Sequence, residues 1–210
     1  RVLATQQRRM LERFLQLLKP NPNTRVLDLG VNGSLARREQ YFFEAGYPWP
    51  ERVVACGLEA PDAFAACFPR TPYVRGTREL PLPFETGSFD LVFCNAVIEH
   101  VGSRARQAAF LAEILRVGRA AFVTTPNRWY PIELHTVLPL AHWLPTRIHR
   151  ALLRGLGFGF FAREENLNLL DQRALRSLVP PERDAQIHAQ RFLGLVSNFL
   201  LVVTAEKDGP

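Results

Sequence analysis

Short β-rich runs that end on a polar residue, each followed by a helical stretch, constrain this chain more than any other feature. Residues 25–29 (RVLDL) carry Asp28 near their end, 52–58 (RVVACGL) lead into Glu59, and 89–94 (FDLVFC) lead into Asn95. Further strands are predicted at 72–75 and 119–124, and 185–193 with 198–206 read as an antiparallel pair joined by GLVS. Amphipathic helices are predicted over 3–19 and 104–117 from apolar residues at helical spacing, with Pro20 stopping the first. Shorter helices are expected around 35–45 and 61–68. Another follows Asp171, an N-cap by residue type, and stops at Pro180 and Pro181. Strands alternating with helices imply an α/β fold: a mainly parallel sheet covered on both faces. The ligand cleft of such a sheet lies beyond the carboxyl ends of its strands. Topology alone therefore puts Asp28, Glu59 and Asn95 at one place.

Composition narrows the class. At 210 residues, 47% apolar and 22% charged, the chain has enough core for one folded domain, expected over 1–210, and is not of disordered composition. Its three cysteines (Cys56, Cys67, Cys94) have no CxxC spacing, which excludes a disulfide framework and leaves no metal site expected. No run of 18 apolar residues and no signal-like N-terminus is present, so a cytoplasmic location is expected. The net charge is +6, and every basic residue except Lys19 and Lys207 is arginine. These arginines are scattered in ones and twos, so no nucleic-acid partner is expected.

Residues 126–165 break the strand–helix rhythm. They hold Pro126, Pro131, Pro139 and Pro145 among tryptophans and histidines, with short helices expected at 134–143 and 146–155. A segment this long reads as a helical cap on the cleft. Trp129, Tyr130, His135 and Trp143 are its candidate substrate-binding walls, and aromatic walls suit a partly apolar ligand. Arg147, Arg150 and Arg154 recur at spacings of three and four beside Leu and Phe residues, so peripheral contact with an anionic membrane stays open.

The turn after the first strand is Gly30-Val31-Asn32-Gly33-Ser34. Gly30 lets backbone approach a ligand, and Asn32 and Gly33 both tolerate positive φ. The turn is not a dinucleotide fingerprint, because an acid precedes the first glycine and the G-x-G-x-x-G spacing is missing; no GxxxxGK[ST] phosphate loop occurs either. The Glu59 carboxylate offers two acceptor oxygens, as a ribose diol would need.

In combination, VLDLG, a strand ending GLE, and LPLPFETGSFDLVFCNAVIEHV resemble the class I S-adenosylmethionine-dependent methyltransferases, specifically the subgroup called methyltransferase type 11. The resemblance implies a Rossmann-like three-layer sandwich with a mostly parallel seven-stranded sheet. It implies S-adenosylmethionine as cofactor, with Asp28, Gly30, Val31, Asn32 and Gly33 at the methionine loop and Glu59 on the ribose. It implies Thr77 and Arg78 near the adenine, and Asn95 and Ala96 at the methionine end. Two departures stand out. The glycine loop is reduced, with Asn32 where glycine is common, and Thr77 stands where the family usually has Asp.

The activity so implied is in-line methyl transfer to a small-molecule acceptor: a sugar, a lipid or a secondary-metabolite intermediate. Positioning dominates such a reaction, and a base is needed only where an acceptor proton must leave. His100 and His135 are the candidate bases, both able to titrate near neutrality; His142 and His149 read as packing or surface residues. A non-catalytic, cofactor-binding or scaffolding relative and a methyltransferase acting on RNA or protein are the alternatives.

Overall fold

A computed structural model describes residues 2–35, 37–133 and 135–206. Helix α1 (Val2–Leu18) is followed by β1 (Val26–Leu29), α2 (Phe42–Gly46), β2 (Val53–Gly57), α3 (Asp62–Cys67), β3 (Tyr73–Arg75) and β4 (Phe89–Asn95). Then come α4 (Arg104–Val117), β5 (Gly118–Pro126), α5 (Thr146–Gly155), α6 (Gln172–Ser177), β6 (Arg183–Phe192) and β7 (Leu195–Glu206). The seven strands form one sheet in the order β3-β2-β1-β4-β5-β7-β6. β1 pairs in parallel with both β2 and β4, in register Asp28 with Ala55 and Phe93, and β2 pairs in parallel with β3. β6 and β7 are antiparallel. The doubly wound sheet with an antiparallel C-terminal pair is thus the one the sequence predicts.

By internal contacts the chain divides into two compact units, Arg1–Asn95 with Glu113–Phe122 and Ala96–Ala112 with Val123–Pro210. The first is built around Phe14 of α1, which is fully buried. Its ring meets those of Phe43, Tyr47, Phe93 and Phe122 edge-on at 5.4–6.2 Å. Edge-to-face geometry adds about 0.5–1.5 kcal/mol per aromatic pair beyond burial.

The first unit also holds its 82–86 loop with one side chain. Arg116 donates to the carbonyls of Leu82 (3.1 Å) and Phe84 (2.9 Å) while Glu113 fixes its guanidinium at 2.7–2.8 Å. The Glu113 carboxylate in turn accepts from Leu82 N. These contacts hold the Glu113 carboxyl below its ordinary pKa, hydrogen bonding to Arg116 outweighing burial.

Three local expectations fail. The helix expected at 35–45 is a 3₁₀ turn (Arg38–Gln40) followed by the short α2; residue 36 lies outside the described residues. Tyr41 leaves helical geometry at φ −87°, ψ 68° because its buried ring packs between Phe64 and Phe68 and its hydroxyl donates to Leu35 O. No α-helix forms over 135–143, residue 134 lying outside the described residues. There Ile132 bridges Pro139, Val137 and Leu140 take positive φ, and only Ala141–Trp143 makes a 3₁₀ turn. Side-chain acceptance of backbone N–H groups by Glu133 competes with the helix. Finally, β6 and β7 join through Leu193 and Gly194 alone, at φ 51° and 81°, the two positive values of a type I′ hairpin.

Candidate functional site

The carboxyl ends of β1 and β2 are pinned together in the first unit. Gly30 N and Val31 N both donate to Cys56 O at 2.8 and 3.0 Å. The Tyr73 hydroxyl donates to Val31 O (3.4 Å) and Glu59 O (3.2 Å), so one phenol ties the glycine turn to the loop bearing Glu59. Burial is the main reason that phenol is pushed up to about 12. Such packing leaves no room for side chains at two glycines. A Cβ on Gly57 would meet Val31 O at 1.9 Å, and one on Gly33 would meet Ala60 O at 2.6 Å.

Gly30 has φ 99°, as a ligand-approaching turn requires. The positive φ expected as tolerable at Asn32 and Gly33 is not used. Asn32 instead accepts from Ser34 N (3.0 Å) and Ser34 Oγ (2.6 Å), an Asx turn that fixes the loop where the family commonly has glycine. Gly33 is needed for close approach rather than for its dihedral. The polar turn is thereby preorganised despite its reduced glycine content.

Asp28 is 7% exposed and Glu44, on α2, is 2% exposed. Their carboxyl groups hydrogen-bond to one another. Burial first, and then the neighbouring carboxylate, holds Asp28 well above the usual carboxylate range; burial also raises Glu44. Oε1 of Glu44 is buried with no hydrogen-bond partner. Sequence reasoning missed Glu44. Its only signal was an acid within the aromatic run FFEAGY, three residues before the buried Tyr47.

Among the other expected cofactor residues, Glu59 is exposed beyond the end of β2. Thr77 is exposed, and its hydroxyl accepts from Glu79 N (3.2 Å), so it serves a local turn. Arg78 is exposed beside it. Asn95 ends β4 half-buried, and the next residue, Ala96, has φ 54° with its N–H shared between Thr124 O and Thr124 Oγ1. A non-glycine residue in this region stores strain of about 1–3 kcal/mol, a feature that clusters at binding sites.

The two candidate bases come together within the second unit. The rings of His100 and His135 meet edge-on at 4.7 Å. Nδ1 of His135 lies 2.5 Å from Glu133 Oε1, which also accepts from His135 N. Oε2 of Glu133 accepts from Thr136 N and Oγ1, both at 2.7 Å. These donors outweigh burial and pull Glu133 down to about 2. Burial opposes charge on His135, but the Glu133 hydrogen bond and charge, with Glu99 adding to them, raise it above its ordinary value.

Beneath them Glu99 is fully buried. Burial pushes it up to about 7, against its own backbone N–H, the charge of His135 and a 3.0 Å hydrogen bond from Thr125 Oγ1. Its Oε1 has no hydrogen-bond partner and lies 4.0 Å from His100 Nε2. His100 Nδ1 meets Asn166 O at 2.6 Å and, facing a carbonyl, must donate. Glu99, His100 and His135 each place one possible metal ligand within 4.8 Å of the others. Ligands about 2.1 Å from a tetrahedral ion stand about 3.4 Å apart. The Glu99 Oε1–His100 Nε2 separation of 4.0 Å is wider than that.

The expected aromatic wall divides. Trp129 and Trp143 are 50% and 42% exposed and face each other at 6.3 Å. Tyr130 is buried and turned toward Phe192, while His135 faces His100 and Phe161. His142 donates from Nε2 to Tyr130 O, and burial lowers both His142 and His149, as packing histidines require.

Residues 42–121 match the family described as "Methyltransferase domain". No curated protein matches the chain in sequence. The YcgJ protein of Bacillus subtilis is similar in fold at 13% identity, covering 95% of this chain and 100% of that one, with a TM-score of 0.60. Magnesium protoporphyrin IX methyltransferase of Synechocystis PCC 6803, solved with bound SAH, shares 13% identity over 97% of this chain and 84% of its own, with a TM-score of 0.56. A methyltransferase of Methanosarcina mazei shares 11% identity over 90% of this chain and 95% of its own, with a TM-score of 0.52. The first unit's residues fit the cofactor of that class: the orphaned acceptor on Glu44 beside Asp28 suits a cationic group, and Glu59 stands exposed for a diol. Residues 42–121 thus match a methyltransferase domain family on a fold shared with solved methyltransferases, and S-adenosylmethionine is the cofactor this match supports.

Proposed function

We propose that the protein methylates a hydroxyl group on a small-molecule acceptor. The observation that carries this reading is the Glu133–His135 pair, an imidazole held and made more basic by a buried carboxylate. A hydroxyl is a poor nucleophile until its proton leaves, and a positioned base contributes about 10²–10⁴-fold to such a step.

S-Adenosylmethionine supplies an electrophilic methyl carbon on a sulfonium. In our reading, Asp28, Gly30, Val31, Asn32 and Gly33 hold its methionine part, Glu59 its ribose, Thr77 and Arg78 border its adenine, and Asn95 with Ala96 line the methyl side. His135 takes the acceptor's proton on a ring nitrogen while Glu133 stabilises the imidazolium. His100 and Glu99 surround that nitrogen's proton and give it somewhere to pass. Trp129, Tyr130 and Trp143 remain the proposed acceptor walls, within a cap of about 126–165 on a single 1–210 domain. Sugar, lipid and secondary-metabolite intermediates are the acceptor classes, in a cytoplasmic setting.

The test has two arms. Calorimetric titration with S-adenosylhomocysteine should show binding that Glu59→Ala weakens; absence of heat at millimolar ligand would favour a non-enzymatic relative. S-Adenosylmethionine labelled in its methyl group, incubated with the protein and a cell extract, should pass label into solvent-extractable small molecules. Label in precipitated protein or RNA overturns the small-molecule reading.

A further inference from the structure

We infer that Glu99, His100 and His135 form a binding site for a divalent transition ion of the zinc class, which shuts off the base by taking its ring nitrogen. The floor of the site is Glu99, wholly buried, whose Oε1 has no hydrogen-bond partner. A carboxylate oxygen held away from water is costly unless a cation or a donor meets it. The walls are the two imidazoles, whose rings meet edge-on at 4.7 Å. One possible ligand atom from each of the three residues lies within 4.8 Å of the others. The side chains of His100 and His135 are 31% and 21% exposed, so solvent reaches the rim of the site while its carboxylate stays buried.

The surroundings of the three residues are those of ligands held for a metal. His100 Nδ1 faces Asn166 O at 2.6 Å and His135 Nδ1 faces the Glu133 carboxylate. In each neutral ring the proton therefore sits on Nδ1 and the lone pair on Nε2. A carbonyl or carboxylate behind an imidazole fixes the ring and raises its basicity as a ligand. Glu99 is held likewise: Oε2 accepts from Thr125 Oγ1 at 3.0 Å, while Oε1 faces His100 Nε2. With Glu133 behind His135, two carboxylates oppose the ion's double charge. Two imidazoles and one carboxylate leave a fourth position for water, and imidazole favours Zn²⁺, Co²⁺ or Ni²⁺ over the oxygen-seeking Mg²⁺ and Ca²⁺. Coordination brings Glu99 Oε1 and His100 Nε2 about 0.6 Å closer than their present 4.0 Å. No pair has to close by more than about 1.4 Å. Rotation of a part-exposed ring supplies movements of that size. The cluster contains no cysteine, so the spacing of Cys56, Cys67 and Cys94 could not reveal it.

Ion binding is independent of the methyl-transfer reading; the inhibition rests on His135 being the base. The experiment titrates the metal-free full chain with Zn²⁺ by calorimetry, and with Co²⁺ by its visible absorption. One Zn²⁺ should bind per chain, Co²⁺ should give the visible bands of a tetrahedral site, and excess Mg²⁺ should displace neither. Glu133→Gln, which touches no ion, should weaken Zn²⁺ about 10–100-fold. Glu99→Gln and His100→Gln remove ligands, so they should weaken it further and abolish the Co²⁺ bands. Glu99→Gln keeps the shape of the buried side chain, and its melting temperature and S-adenosylhomocysteine binding should stay close to wild type, which separates loss of the ion from loss of fold. A wild type that binds no Zn²⁺ overturns the site, as does Zn²⁺ held equally by Glu99→Gln and His100→Gln. Bound Zn²⁺ should also halt transfer of labelled methyl groups to small molecules, and a chelator should restore it. Transfer that continues, or rises, with Zn²⁺ bound by calorimetry overturns the inhibition and removes His135 as the base, while the ion site itself stands.

Discussion

Oε1 of Glu133 accepts from both the backbone N and the ring Nδ1 of His135, two residues downstream, so one oxygen fixes the ring's position and its charge. The local sequence IELHT suffices to build this unit, with Thr136 satisfying the second oxygen. Glu133→Gln keeps the size but removes the charge. Methyl transfer should fall about 10–100-fold. The acid limb of the pH–rate profile should move to lower pH, because His135 loses the partner that raises it. Binding of S-adenosylhomocysteine, measured in parallel, should not change. An unmoved profile would remove His135 as the base.

The same pair gives a stability window. Glu133 is depressed in the folded state, so its contribution is present above the unfolded value of about 4.3 and is lost as pH falls toward about 2. His135 is raised, so its contribution is full below about 6.5 and is lost as pH rises through its folded value. The pair therefore contributes most between about pH 4.3 and 6.5. Comparing melting temperature against pH for wild type and His135→Phe should show the difference peaking there.

Asp28 and Glu44 run the opposite way. Both are raised in the folded state, so the fold binds protons that the unfolded chain releases. Stability should decline as pH climbs from about 4 through the folded values. Glu44→Gln keeps a hydrogen-bonding group beside Asp28 without the second charge. Its melting temperature at pH 8 should exceed that of the wild type, and its slope against pH should be shallower.

Two substitutions separate cofactor contact from loop geometry. Glu59→Ala should weaken S-adenosylhomocysteine about 10–100-fold with the melting temperature unchanged, since the side chain is exposed. Gly33→Ala should weaken binding and lower the melting temperature together, because its methyl group meets Ala60 O at 2.6 Å and backbone must move.

Phe14→Ala should cost about 3–5 kcal/mol, since the ring is fully buried among four others. Chemical denaturation should show the loss as a shifted midpoint.

The sheet was legible because strands of 4–7 residues with apolar interiors, such as VLDL and FDLVFC, have few other solutions. α4 and α5 were placed to the residue by periodicity and by Pro145. What the sequence hid depends on contacts distant along the chain. Tyr41 breaks the expected helix for the sake of Phe64 and Phe68, more than 20 residues away. Glu44 reads as a surface acid of a short helix until β1 puts Asp28 against it. The Trp129–Trp143 pair was visible as composition, but no local rule told Tyr130 to turn away toward Phe192.

The grip of Arg116 on the carbonyls of Leu82 and Phe84 bears on how the chain is cut or rewired. A fragment ending anywhere between residues 88 and 112 strands two acceptors and the amide of Leu82. A split-protein pair divided there should reassemble only when the α4-bearing half restores the clamp. New chain termini are better tolerated at the Leu193–Gly194 hairpin, where the glycine meets nothing that a side chain would displace.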